Sequence, residues 1–183
     1  MENKTNTQWS KFLFLDIDGC LNHQEWYMSD DPNRGKGEFD PLCVARVNRI
    51  IKETGAKIIL STSWRTMPDV EDILVSVGFN REDIIGKTPY FAGFNRYPGV
   101  CRGNEIKAWL DEFCKNNNII WGWKNGVWST NHKVTYVIID DDPDMLYSQK
   151  DNFINTSYKN GLTDELTDKA IKILEKDEGE ELD

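Results

Sequence analysis

Asp16 and Asp18 stand one residue apart where the apolar run Phe12-Leu13-Phe14-Leu15 breaks into Asp16-Ile17-Asp18-Gly19. Two carboxylates so close raise each other's proton affinity unless a cation sits between them, and a hard divalent ion with oxygen ligands is the simplest such cation. Two other clusters have the same form. Ile58-Ile59-Leu60 runs into Ser61-Thr62-Ser63-Trp64-Arg65, and Val137-Ile138-Ile139 runs into Asp140-Asp141-Asp142-Pro143-Asp144. Alone, each has an ordinary explanation: a turn with an N-cap, a cap for the next helix, a solvated acidic loop. Together they share a position, because each follows an apolar run of strand length. Calcium loops of the EF-hand kind fail on detail. The closing bidentate Glu would fall on Tyr27 in the first cluster and Asp151 in the third, and neither follows a helix.

The elements that must position these clusters are legible in the hydrophobic pattern. The run ending at Asp16 does not alternate, as expected of a strand over residues 11–16 that is covered on both faces, and Gly19 permits the sharp backbone departure after it. A polar, irregular stretch covers residues 22–39. Asp40-Pro41 then provides an N-cap with Pro at the first helical position, and Leu42, Val44, Val47, Ile50 and Ile51 follow at helical spacing up to a stop at Gly55. Further strands are expected over 56–60, 83–86, 134–139 and 153–155, and further helices over 69–77, 102–115 and 163–175. Residues 87–100 are aromatic and turn-rich, and Asn125-Gly126 between Trp121, Trp123 and Trp128 signals a hairpin. The alternation of strands and helices predicts an α/β fold, Rossmann-like, with a central mainly parallel sheet and helices on both faces. Strand ends in such a sheet share one edge, so the three clusters should converge there.

Composition bounds the remainder. A chain of 183 residues suits one domain. Of the net charge of -9, residues 175–183 contribute -5 and leave -4 for the body. The expected organisation is an N-terminal extension over 1–10, one domain over 11–175, and an acidic, solvated tail over 176–183. Cys20, Cys43, Cys101 and Cys114 lack the close pairs of a zinc ribbon or redox motif, which favours reduced thiols. His23 and His132 have no partner spacing for zinc. Neither a leader-like segment nor a bilayer-length apolar run is present, so the expectation is a soluble cytoplasmic protein, in which Asn155-Thr156-Ser157 matches a glycosylation acceptor by chance.

With these motifs in place, the chain resembles the haloacid dehalogenase (HAD) superfamily of phosphotransferases. Residues 12–22 resemble its first motif, 58–61 its second and 137–141 its acidic fourth, while Arg102 in Arg102-Gly103-Asn104-Glu105-Ile106 is the best match to the basic third and Lys107 the second choice. Leu-Ser-Thr-Ser-Trp-Arg, Arg-Gly-Asn-Glu-Ile and Ile-Asp-Asp-Asp resemble more narrowly the small HAD-like domains of bacterial and phage RNA-repair proteins. The resemblance implies Asp16 as nucleophile and Asp18 as general acid and base. It also implies Mg²⁺ held by Asp16, the Asp18 carbonyl, Asp141 and Asp140, with Ser61 and Arg102 on the phosphoryl oxygens. Asp144 reads as a helix cap or a support behind the ligands. Thr62, Arg65 and Arg96 are candidates for substrate contact, with a surface ion pair as the alternative for Arg65 and a structural loop for Arg96. Trp121, Trp123 and Trp128 could stack bases or pack within the protein.

The insertions between motifs, 22–39 and 66–101, imply a small or absent cap and an open catalytic edge. That suits a Mg²⁺-dependent phosphomonoesterase acting on nucleotide or polynucleotide ends, while the acidic balance argues against tight non-specific nucleic-acid binding. The alternatives are a small-molecule phosphatase such as a 5′-nucleotidase, a protein phosphatase, and a non-catalytic metal-binding interaction module. A homo-oligomer stays open.

Overall fold

The computed structural model describes residues 8–32, 34, 38–91, 100–119 and 132–176. Five strands form one parallel sheet in the order β3-β2-β1-β4-β5. They are β1 (Gln8–Leu15), β2 (Lys57–Leu60), β3 (Ile84–Lys87), β4 (His132–Asp140) and β5 (Phe153–Asn155). The helices are α1 (Gln24–Tyr27), α2 (Pro41–Thr54), α3 (Val70–Ser76), α4 (Arg102–Asn116) and α5 (Asp164–Glu175). The α/β class with helices on both faces is therefore as the hydrophobic pattern implies.

The unbroken apolar run of β1 is explained by its two faces. Leu13 and Leu15 join Ile58, Leu60, Val137 and Ile139 in a core covered by Val44, Val47, Leu74, Ala170 and Leu174 of α2, α3 and α5. Phe12 and Phe14 join Ile59, Tyr136 and Ile138 on the other face beneath Ile106 and Leu110 of α4. From β1 the chain winds outward to β3, then crosses through α4 to β4 on the opposite side of β1. The strand order thus reverses between β1 and β4, and the crevice of a doubly wound sheet opens at the carboxyl ends of those two strands.

Local signals account for the element ends. Asp40 caps α2 by accepting from Leu42 N at 2.8 Å, and Gly55 closes it at φ 70°. Thr163, at the residue where the last helix was expected to begin, caps α5 through Leu166 N. Four expectations need correction. β1 begins at Gln8 instead of 11, and β4 at His132 instead of 134, because Gln8–Lys11 pair in register with His132–Thr135 and each strand supplies the other with partners. Asp16 lies just past β1 instead of inside it, although its N–H still donates to Ile139 O at 3.0 Å. The stretch 22–39 is not wholly irregular, since α1 forms there with His23 Nδ1 accepting from Trp26 N. Arg96 and the hairpin expected around Trp121, Trp123 and Trp128 lie outside the described residues, as does most of the acidic tail. All four cysteines are free, and no helix among the described residues is long and apolar enough to cross a membrane.

Candidate active site

The carboxyl ends of β1, β2 and β4 bring the three clusters to one edge. Ladder bonds continue past the strands: Ser61 N donates to Leu15 O at 2.9 Å and Thr156 N to Asp140 O at 3.0 Å. They fix the first residue after β2 and the last of β4 as firmly as the strands themselves. After Asp18 the chain turns through Gly19 at φ 68°, where a Cβ would overlap the Asp141 carboxylate, so glycine is needed both for conformation and for room. Asn22 closes this turn. Its Oδ1 accepts from Gly19 N at 3.1 Å, and its Nδ2 donates to Asp18 Oδ1 at 2.8 Å.

Asp16, Asp140 and Asp141 place carboxylate oxygens within 4.8 Å of one another. Arg102, the first residue of α4, points Nη1 at this group, 3.0 Å from Asp16 Oδ1 and 3.4 Å from Asp140 Oδ2, and also donates to Ser61 O. It is held there from the loop after β4. Asp144 Oδ2 accepts from Arg102 N at 2.9 Å, and Gly103 sits so close to Met145, Leu146 and Gln149 that a Cβ would clash. Asp144 is therefore a helix cap, but for α4, forty-two residues before it in the chain. Lys107, the second choice for the basic position, is exposed and pairs with Asp111 at 2.5 Å on the outer face of α4.

The electrostatics show a site short of positive charge. Burial raises the Asp16 carboxyl above its ordinary range, against the pull of the Arg102 guanidinium and a hydrogen bond from Thr62. Burial and the adjacent Asp16 charge push Asp140 up to about 8, and burial also raises Asp141. Burial opposes the Arg102 charge, but Asp140 and Asp16 outweigh it and raise its pKa. Two buried oxygens at this edge, Ser61 Oγ and Asp140 Oδ2, make no hydrogen bond among the described residues. Buried polar atoms without partners are uncommon, and here one belongs to, and the other adjoins, a cluster whose donor set consists of hard carboxylate oxygens. The residues fit a bound Mg²⁺ and a phosphate.

Trp64 and Asn22, to which the sequence assigned no role, complete the surroundings of Asp18. Trp64 Nε1 donates to Asp18 Oδ2 at 2.9 Å, so with Asn22 both carboxylate oxygens of Asp18 are held. Nothing in the spacing of Trp64 signals this contact. Its place in the polar cluster after β2 was the available clue. Thr62, a candidate for substrate contact in the sequence, is fully buried, caps the 3-10 turn Ser63–Thr66 and hydrogen bonds to Asp16, so it supports the Asp16 carboxylate.

Arg65, the other candidate for substrate contact among the described residues, lies in the interior. Its guanidinium is buried, pairs with Glu105, donates to Thr62 O and reaches Pro89 O at 3.3 Å. The ion-pair alternative holds, but in the interior instead of on the surface, because α4 carries Glu105 one turn beyond Arg102 and directly over the segment after β2. His23 has partners that spacing concealed: it lies with Asp40 and Cys43, their ligand-type atoms within 4.8 Å. These atoms are already engaged, His23 Nε2 with Asp40 Oδ2 at 2.9 Å and Cys43 Sγ with Leu162 O at 3.4 Å. They brace the loop after β1 against α2.

Comparison with known families decides the affiliation. A family model described as the HAD domain in Swiss Army Knife RNA repair proteins matches residues 12–167. The chain belongs to this family. The match runs from the middle of β1 through β5 and takes in every acidic cluster at the sheet edge, and the HAD-like affinity read from the motifs stands. Comparisons with curated proteins and with solved structures found no match.

Proposed function

We propose that this HAD domain is a Mg²⁺-dependent phosphomonoester hydrolase that works through an aspartyl phosphate and acts on nucleotide or polynucleotide terminal phosphates. The observation that supports it most directly is the convergence at one edge of Asp16, Asp18, Arg102 and Ser61, whose Oγ has no hydrogen-bond partner among the described residues, drawn from two strand ends and one helix start.

The Asp16 carboxylate attacks phosphorus in line, forming the acyl-phosphate bond as the bond to the leaving oxygen breaks. Asp18 gives that oxygen its proton. Asp18, now a carboxylate, then takes a proton from water, and the water oxygen attacks phosphorus and frees Asp16 and inorganic phosphate. Arg102 and Ser61 Oγ hold the equatorial phosphoryl oxygens, where charge is spread in a loose transition state. Asp16, Asp140, Asp141 and the Asp18 carbonyl would hold Mg²⁺, which neutralises charge between the nucleophile and the phosphate. Trp64 and Asn22 fix the carboxylate of Asp18 so that its proton is delivered along one direction.

Family membership among RNA repair proteins supports a nucleic-acid end as substrate, as do the short connections around the edge. Phosphate release from a phosphomonoester, measured with Mg²⁺ and again after exhaustive chelation, tests the proposal. Turnover should vanish on chelation and return with Mg²⁺, and undiminished turnover without metal would refute it.

A further inference from the structure

In an in-line displacement the leaving oxygen lies opposite Asp16 and beside Asp18, so whatever surrounds Asp18 on the solvent side meets the rest of the substrate. That side is aromatic. Trp64 donates to Asp18, and its ring packs against Phe39 at 5.6 Å between centroids. Asn22, the other partner of Asp18, stands two residues ahead of α1, which ends on Tyr27, and the Tyr27 phenol lies near enough to feel the Asn22 amide and the Asp18 charge. Burial, then the charges of Glu38 and Asp18, raise its phenol pKa, with Tyr158 in electrostatic reach as well.

The loop after β5 brings Tyr158 to this place. Its carbonyl accepts from Gln24 N at 2.8 Å and that of Lys159 from Glu25 N at 2.9 Å, which satisfies the amide groups at the start of α1. Tyr27 is 41% exposed and Tyr158 56% exposed. A scattered exposed aromatic needs no explanation. Two tyrosines at the catalytic edge, one ending α1 beside Asn22 and one on the loop after β5 that meets the start of α1, do. Tyr90 and Phe91 are also exposed, but they adjoin the Arg65–Glu105 pair on the phosphate-holding side, and Arg65 lies over the Tyr90 ring at 4.9 Å.

We propose that Tyr27, backed by Tyr158, is a stacking platform for the nucleobase next to the scissile phosphate, so that the leaving group is the nucleoside of a polynucleotide end and not a ring-free alcohol. This assignment rests on the phosphatase reading, because Asp18 marks the leaving-group side only in that mechanism. Stacking on an aromatic side chain tolerates every base, which suits recognition of an end without sequence preference.

The test compares a short single-stranded RNA bearing a terminal phosphate, 5′ in one set and 3′ in another, with the same RNA lacking the terminal base. Binding is measured on the full chain carrying Asp16→Asn, and kcat/KM on the unmodified protein, both with Mg²⁺ and at fixed salt. Removing the base should weaken binding to at least one of the two ends about tenfold. Tyr27→Leu should erase most of that difference, and Tyr27→Phe should keep it. Equal binding of intact and abasic RNA in both sets, or an undiminished difference in Tyr27→Leu, overturns the platform. Stronger binding of a phosphotyrosine peptide than of either RNA gives the platform to a protein substrate and overturns the nucleic-acid assignment. A base effect on binding without turnover of any probe would break the phosphatase reading and leave the platform standing, whereas turnover without a base effect would do the reverse.

Discussion

Arg65 and Glu105 are both almost fully buried, and so are Asp16 and Asp140, yet the two groups balance their charge in opposite ways. In the first, one guanidinium meets one carboxylate, Thr62 O and Pro89 O accept from Arg65, and Phe91 N donates to Glu105 at 2.8 Å. In the second, one guanidinium is shared among carboxylates, and burial lifts the proton affinity of Asp16, Asp140 and Asp141 alike. A balanced buried pair fixes the shape of the segment between β2 and α4. An unbalanced one leaves the fold with a standing affinity for a cation, and the proposed chemistry draws on that shortage.

The largest effect should come from removing the proposed nucleophile. Asp16→Asn, nearly isosteric, should abolish turnover of any phosphomonoester, and because it relieves an excess of negative charge it should melt no lower than the unmodified protein in metal-free buffer. Residual turnover at the normal rate in a folded Asp16→Asn protein would end the covalent mechanism. At the balanced pair the opposite should hold. Glu105→Gln strands the Arg65 charge in the interior and should cost about 3–5 kcal/mol of stability by denaturant titration. A loss below about 1 kcal/mol would show the pair to be no better than a surface bridge.

A smaller effect should follow at the acid and base. Asp18→Asn should slow kcat by about a hundred- to ten-thousand-fold. Trp64→Phe, which keeps the ring but removes the N–H on Asp18 Oδ2, should lower kcat about tenfold with KM nearly constant, since it disturbs a proton transfer and not binding. A rise in KM at constant kcat would instead give Trp64 a role in substrate binding.

The smallest effect is on pH dependence. The Asp140 carboxyl, at about 8 in the fold against an ordinary 3.8, stabilises the metal-free protein while protonated. That contribution is complete below 3.8 and is lost as pH rises through about 8. Mg²⁺ needs the carboxylate, so the increase in melting temperature on adding Mg²⁺ should grow between about pH 6 and about pH 9. A pH-independent increase would remove Asp140 from the metal set.

The sequence by itself determined the sheet, its covered strands and the placement of Asp16, Asp18, Ser61, Asp140 and Asp141, because apolar runs, caps and breakers act over a few residues and parallel strands must end on a common edge. The α2 start at Asp40-Pro41 and stop at Gly55 were legible for the same reason. Only the tertiary structure decided that Arg102 and not Lys107 serves the carboxylates, that Arg65 is spent on Glu105, that Trp64 holds Asp18, and that His23 meets Asp40 and Cys43. Arg102 and Asp16 are eighty-six residues apart, Trp64 and Asp18 forty-six, and Arg65 and Glu105 forty. Which of several side chains with suitable chemistry meets its partner over such separations depends on helix rotation and packing against the sheet, and local sequence does not encode either.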